Sequence, residues 1–208
     1  MNAIYNLLDD VSGPYTPEYK AKMLHKIPDA PVLPREEYLL KAARGKIVLD
    51  IGASGPMAVA LQKVAKHYLG MDIKDNPEIS NFRIIDLDDS FYDDIFEYVL
   101  EENKFDLIIA GEVIEHLSNA GHFLDLLHYD NTQVILTTPN AFGIAGNQHL
   151  KNGVESVNKE HVAWYSYHTL RTLIERHNFK LLLWAWYNGK PLTAEGLIFH
   201  MEPDNGND

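Results

Sequence analysis

The chain contains no cysteine, which excludes disulfides and thiol chemistry and makes the cytoplasm the expected compartment. It has no apolar run near the roughly 18 residues a membrane span needs. Its first residues, MNAIYNLLDDVSG, lack the basic flank and continuous apolar stretch of a secretory signal. Positive charge is scarce: 18 Lys and Arg stand against 30 Asp and Glu, a formal net charge of −12. Binding to nucleic acid or anionic lipid depends on clusters of Lys and Arg, so the expected partner is a small molecule, with no nucleic acid and no membrane span. Internal repeats and low-complexity segments are also missing. What remains, 208 residues at 46% hydrophobic and 23% charged, suits one globular domain with a single core.

Along the chain, residues 1–45 read as an N-terminal helical extension, residues 46–202 as the main domain and residues 203–208 as a polar tail. Thr16-Pro17-Glu18 is a helix start, with cap, N1 proline and first-turn acid in order. The Pro-rich stretch Ile27 to Pro34 interrupts the helical pattern. From Lys46 onward, apolar runs at 47–51, 68–72, 82–86, 105–110 and 133–137 alternate with amphipathic patterns. Ser90, Ser118 and Ser166 are placed to cap the later helices. Such alternation predicts an α/β fold with a parallel sheet and helices on both faces. Two last runs, 180–187 and 196–201, are separated by Asn188-Gly189-Lys190-Pro191, turn residues that predict an antiparallel hairpin and bring the sheet to seven strands.

Asp50-Ile51-Gly52-Ala53-Ser54-Gly55 lies where the first strand runs into a helix, the place where open α/β sheets bind ligands. Glycine there lets the backbone approach a ligand and take left-handed dihedrals. Asp72 ends the second run 20 positions after Gly52, where a carboxylate can accept both ribose hydroxyls of an adenine nucleoside. Asp86 ends the third run. An Asp at a strand end also serves as a turn residue or cap, but Asp50, Asp72 and Asp86 finish three consecutive strands.

The acidic strand end with its glycine turn resembles the first motif of class I S-adenosylmethionine-dependent methyltransferases. One departure stands out: Ser54, Gly55 and Pro56 occupy the places of the second and third glycines. Pro56 suits a first helical position but removes an amide donor, so the methionine carboxylate is expected to be held differently. Gly111-Glu112-Val113-Ile114-Glu115-His116-Leu117, after the fourth strand, is similar to the fourth motif of the ubiquinone-biosynthesis-like methyltransferases of the type 11 and 23 group. Thr137-Thr138-Pro139-Asn140 and Glu160-His161-Val162 belong to the same pattern, and the resemblance covers residues 46–180.

The resemblance implies a Rossmann-like fold and S-adenosyl-L-methionine as cofactor. It places Asp50, Gly52, Ala53, Gly55, Asp72, Ile73, Asp86, Leu87, Gly111 and Glu112 along that cofactor. A ring of carboxylates suits a ligand with sulfonium and ammonium charges and would repel a pyrophosphate. NAD is the competing cofactor, though its three spaced glycines are missing. The implied reaction is methyl transfer to an oxygen or nitrogen of a small molecule, lipid precursor or glycan intermediate. Transfer to oxygen benefits from a base, and His116 and His161 are the candidates because imidazole titrates near neutrality.

Glu112, Glu115 and His116 would share one face if helical. With His161 they resemble the metal-holding set of small-RNA 2′-O-methyltransferases, but the acidic charge argues against RNA, and no metal is assigned. A metal-dependent ribose methyltransferase and a non-catalytic nucleoside-binding domain stay open as alternatives. The resemblance further implies that the N-terminal extension, carrying Tyr5, Tyr15 and Tyr19, and the glycine-rich loop after the fifth strand, carrying Phe142, Trp164 and Tyr165, cover the acceptor.

Overall fold

The computed structural model describes residues 22, 24–129, 131–144, 148–149 and 152–206. The apolar runs form β1 (Ile47–Ile51), β2 (His67–Asp72), β3 (Phe82–Ile84), β4 (Leu107–Gly111), β5 (Gln133–Pro139), β6 (Phe179–Tyr187) and β7 (Gly196–Pro203). Their order across one sheet is β3-β2-β1-β4-β5-β7-β6. The first five strands are parallel, and β7 runs antiparallel between β5 and β6.

Helices cover both faces, so the central strands are apolar on both sides. On one face, Leu49, Ile51, Ile108 and Ala110 pack with residues of α3 (Asp93–Asn103), α4 (Ala120–Leu126) and α5 (Tyr167–Arg176). On the other, Val48, Leu107, Ile109 and Ile135 pack with Leu39 and Ala43 of α1 (Arg35–Ala43) and Ala58 and Leu61 of α2 (Gly55–Val64). The α/β class, the seven strands and the terminal hairpin agree with the sequence reading.

Several local expectations differ. The third strand stops at Ile84, because Asp86 turns back on its own backbone: its Oδ1 accepts the amide of Asp88 at 3.0 Å. Asn119, not Ser118, caps α4, accepting the His122 amide at 3.1 Å, while Ser118 donates its hydroxyl to Asp88 at 2.9 Å. Ser90 opens a short 3-10 turn, and the N-cap of α3 is Tyr92, without a side-chain bond. Ser166 does cap α5, in a reciprocal box with Thr169.

The Pro-rich stretch lies along the edge of β6. Leu33 donates its amide to the Trp186 carbonyl at 2.8 Å and Trp186 returns one to Pro31 at 2.9 Å, pairing part of an edge that would otherwise be open. The helix start at Thr16 and the aromatics Tyr5, Tyr15 and Tyr19 lie outside the described residues.

Candidate active site

The sheet changes winding direction between β1 and β4, which are neighbours although far apart in sequence. Chains leaving the carboxyl ends of two such strands diverge and open a crevice. Here the crevice measures about 1000 Å³, and all ten residues expected along the cofactor line it.

Its floor is the loop after β1. Gly52 has φ +76°, and a Cβ there would stand 2.5 Å from Val113 Cγ2, so both the dihedral and the space demand glycine. The amides of Gly52 and Ala53 donate to the Met71 carbonyl at 2.8 and 2.9 Å, which ties the loop to β2. Gly55, at φ +64°, opens α2.

The three acids are not equivalent. Asp50 lies within β1 and is 5% exposed. Burial pushes its carboxyl up to about 7, against the opposing hydrogen bond from Tyr68 and the charge of Arg35. Asp72 sits at the tip of β2, its Oδ1 accepting the Lys74 amide at 3.0 Å. Asp86 lies exposed on the far rim.

Arg35 escaped the sequence reading, for α1 was placed outside the main domain and nothing in its spacing ties it to Gly52. Its Nε donates to Thr137 Oγ1 at 3.0 Å, and the guanidinium lies over the Tyr187 ring, 5.6 Å from the centroid. A Cβ at Gly111 would come within 2.8 Å of Arg35 Nη2, so the absence of a side chain there admits the arginine. Glu112 is the second member of this group. Its φ of +58° turns the chain so that Oε1 accepts the hydroxyls of Thr137 at 2.9 Å and Tyr187 at 2.7 Å.

Glu112, Glu115 and His116 do not share a helical face, since only Ile114–His116 forms a 3-10 turn. Tertiary packing instead brings Glu115, His116 and His161 together, with one nitrogen or oxygen of each within 4.8 Å of the others. His161 is delivered by the loop before α5, whose Val162 and Ala163 amides donate to the Glu115 carbonyl at 2.9 and 3.2 Å. The two imidazoles meet edge to face, 4.6 Å between centroids.

Glu115 is 1% exposed. Its Oε2 accepts the Thr138 hydroxyl at 3.0 Å, while Oε1 and the Nδ1 of His161 are buried without a partner among the described residues. Burial, reinforced by the Glu112 charge, pushes the Glu115 carboxyl up to about 8. Burial and the neighbouring His116 hold His161 below the usual imidazole range.

A second cavity of about 430 Å³ adjoins the first and shares Arg35 and Glu112 with it; His161, Trp164, Asn158 and Glu195 are among its walls. Of the loop aromatics, Trp164 lines this cavity, whereas Tyr165 is in the core and Phe142 is 59% exposed.

The methyltransferase-domain family matches residues 23–183, a span that includes α1. Among curated proteins none matches the sequence. Among solved structures the fold is similar to the small RNA methyltransferase HEN1, at 18% identity and a TM-score of 0.58. That match covers 88% of this chain but only 27% of the other. It is also similar to the 1,6-didemethyltoxoflavin-N1-methyltransferase of Burkholderia thailandensis, solved with 1,6-didemethyltoxoflavin and S-adenosylhomocysteine (13% identity, TM-score 0.59, 82% of this chain and 77% of that one). A third similar structure is the magnesium protoporphyrin IX methyltransferase of Synechocystis with S-adenosylhomocysteine (14% identity, TM-score 0.54, 80% and 78% covered).

Proposed function

The chain belongs to the methyltransferase-domain family, and on that premise we propose that it transfers a methyl group from S-adenosylmethionine to a small polar acceptor held in the adjoining cavity. When bound, the cofactor supplies a methyl group on a positively charged sulfur. Support comes from one observation above the rest: a crevice at the winding switch, lined by every residue the sequence marked for the cofactor, opens beside a polar cavity at Arg35 and Glu112.

The crevice fits this cofactor chemically. Gly52 leaves backbone where a Cβ would fill the space, Asp72 with Ile73 serves the ribose, and Asp86 with Leu87 the adenine. Arg35 serves the methionine carboxylate, replacing the amide that Pro56 lacks. Titration calorimetry with S-adenosylmethionine, S-adenosylhomocysteine and NAD tests the assignment. The two sulfur compounds should bind; heat from NAD alone would reverse it.

For the acceptor atom, the cluster of Glu115, His116 and His161 favours a hydroxyl oxygen, and we read it as a divalent cation site rather than as a pair of free bases. A buried carboxylate oxygen without a donor costs free energy, and a mixed oxygen and nitrogen donor set suits a divalent ion. Such an ion, when bound, supplies positive charge that makes a neighbouring hydroxyl more acidic. The sequence alone assigned no metal; the orphaned Glu115 Oε1 and His161 Nδ1 are what support one. Methyl transfer that survives exhaustive chelation at its full rate would return His116 and His161 to the role of general bases.

A further inference from the structure

We infer that the cavity beside Glu112 accepts an uncharged, hydroxyl-rich ring, a glycosyl group, as the methyl acceptor. The inference rests on the methyltransferase reading of the adjoining crevice and specifies its second substrate.

Charge narrows the choice first. Among the described residues lining the cavity, Glu112 and Glu195 are acidic and Arg35 is the one Lys or Arg. Its Nε is engaged by Thr137, and its positive charge already acts on Asp50 and Glu115. With Arg35 taken by the methionine carboxylate of the cofactor, a phosphate or carboxylate on the acceptor would meet carboxylates with no further Lys or Arg among the described lining residues to offset them, so sugar phosphates and phosphodiester chains are disfavoured.

Hydrogen-bond pattern narrows it further. The wall mixes acceptors, the Glu195 carboxylate among them, with donors such as the NH₂ of Asn158, whose Oδ1 accepts the Glu160 amide at 3.2 Å. An ammonium ion offers donors only and would match half of this lining. A hydroxyl both donates and accepts, so a polyol matches all of it.

The third argument is the platform. Trp164 is 37% exposed at the cavity wall, and its ring is braced against His161 with centroids 6.1 Å apart at 80°. A pyranose has one face of C–H groups and a rim of hydroxyls, which pairs an apolar aromatic surface with a polar surround. At about 430 Å³ the cavity has the size of a small-molecule site.

The experiment is calorimetry on the full chain saturated with S-adenosylhomocysteine. The probes are methyl glycosides of hexoses, deoxyhexoses and N-acetylhexosamines, hexose 6-phosphates, and spermidine as the amine arm. At least one neutral glycoside should bind, about tenfold more weakly or worse to Trp164→Ala and to Glu195→Gln, with Trp164→Phe closer to the wild type. Unchanged S-adenosylhomocysteine affinity in the variants shows that they fold. Binding confined to a sugar phosphate or to spermidine, or no glycoside binding up to millimolar concentration, overturns the glycosyl assignment while leaving the cofactor reading intact. Failure of S-adenosylhomocysteine itself to bind overturns both.

Discussion

Tyr68, on β2, donates its hydroxyl to the Asp50 carboxylate of neighbouring β1 across 2.5 Å, and the two residues are only 8% and 5% exposed. A carboxyl shut away in this manner is more easily kept neutral than charged, which gives the fold a pH dependence that can be measured without any ligand.

The Asp50 carboxyl lies at about 7, raised from 3.8 by burial. In the unfolded chain it ionises near the lower value, so between the two the native state carries the extra proton. Stability from this group is therefore full below pH 4 and is lost as pH rises through 7. Between pH 5 and 8, the unfolding free energy of wild type should fall relative to Asp50→Asn by on the order of 2 kcal/mol. Urea titrations of the cofactor-free proteins measure this, and parallel curves would contradict it.

Arg35 should matter to one end of the cofactor only. Arg35→Ala is expected to weaken S-adenosylhomocysteine binding about 10- to 100-fold, the worth of a charge-assisted hydrogen bond. Adenosine, which has no carboxylate, should bind the variant as it binds wild type. An equal loss for both ligands would mean that the arginine only holds α1 in place.

Manganese in about hundredfold excess over its Kd should stabilise the wild-type protein by about 2.7 kcal/mol, the linkage expected for one site absent from the unfolded chain. Glu115→Gln should fold at least as well as wild type in EDTA, because the variant removes a buried ionisable group with an unpartnered oxygen. It should gain nothing from manganese. Equal stabilisation of variant and wild type by manganese, seen in thermal melts, counts against the cation site.

Gly52→Ala combines a left-handed dihedral with a contact on Val113. The expected cost is about 1 to 3 kcal/mol of stability, together with weaker cofactor binding as the loop withdraws from the crevice. A variant with wild-type melting and affinity would show that the turn relaxes freely.

The parts of this protein legible in the sequence are those fixed over short distances. β1 and β2 are apolar runs because both faces are covered; Gly52 marks the turn because no side chain fits; Ser166 and Thr169 cap α5 with their own hydroxyls. Failures came where two local solutions competed. Asp86 spends an oxygen on the Asp88 amide instead of ending a strand, and Asn119 takes the cap that Ser118 leaves by bonding Asp88. Both choices turn on which neighbour a short polar side chain reaches first, and composition is blind to that.

Sequence by itself determined the α/β class, the seven strands and the glycine turn after β1, since periodicity and turn chemistry are local properties of the chain. Only the tertiary structure decided that β7 inserts between β5 and β6, that Arg35 from a helix assigned elsewhere enters the crevice over Tyr187, and that His161 meets Glu115 and His116. Those contacts join residues distant along the backbone, and packing the core on both faces of one twisted sheet is what brings them within reach.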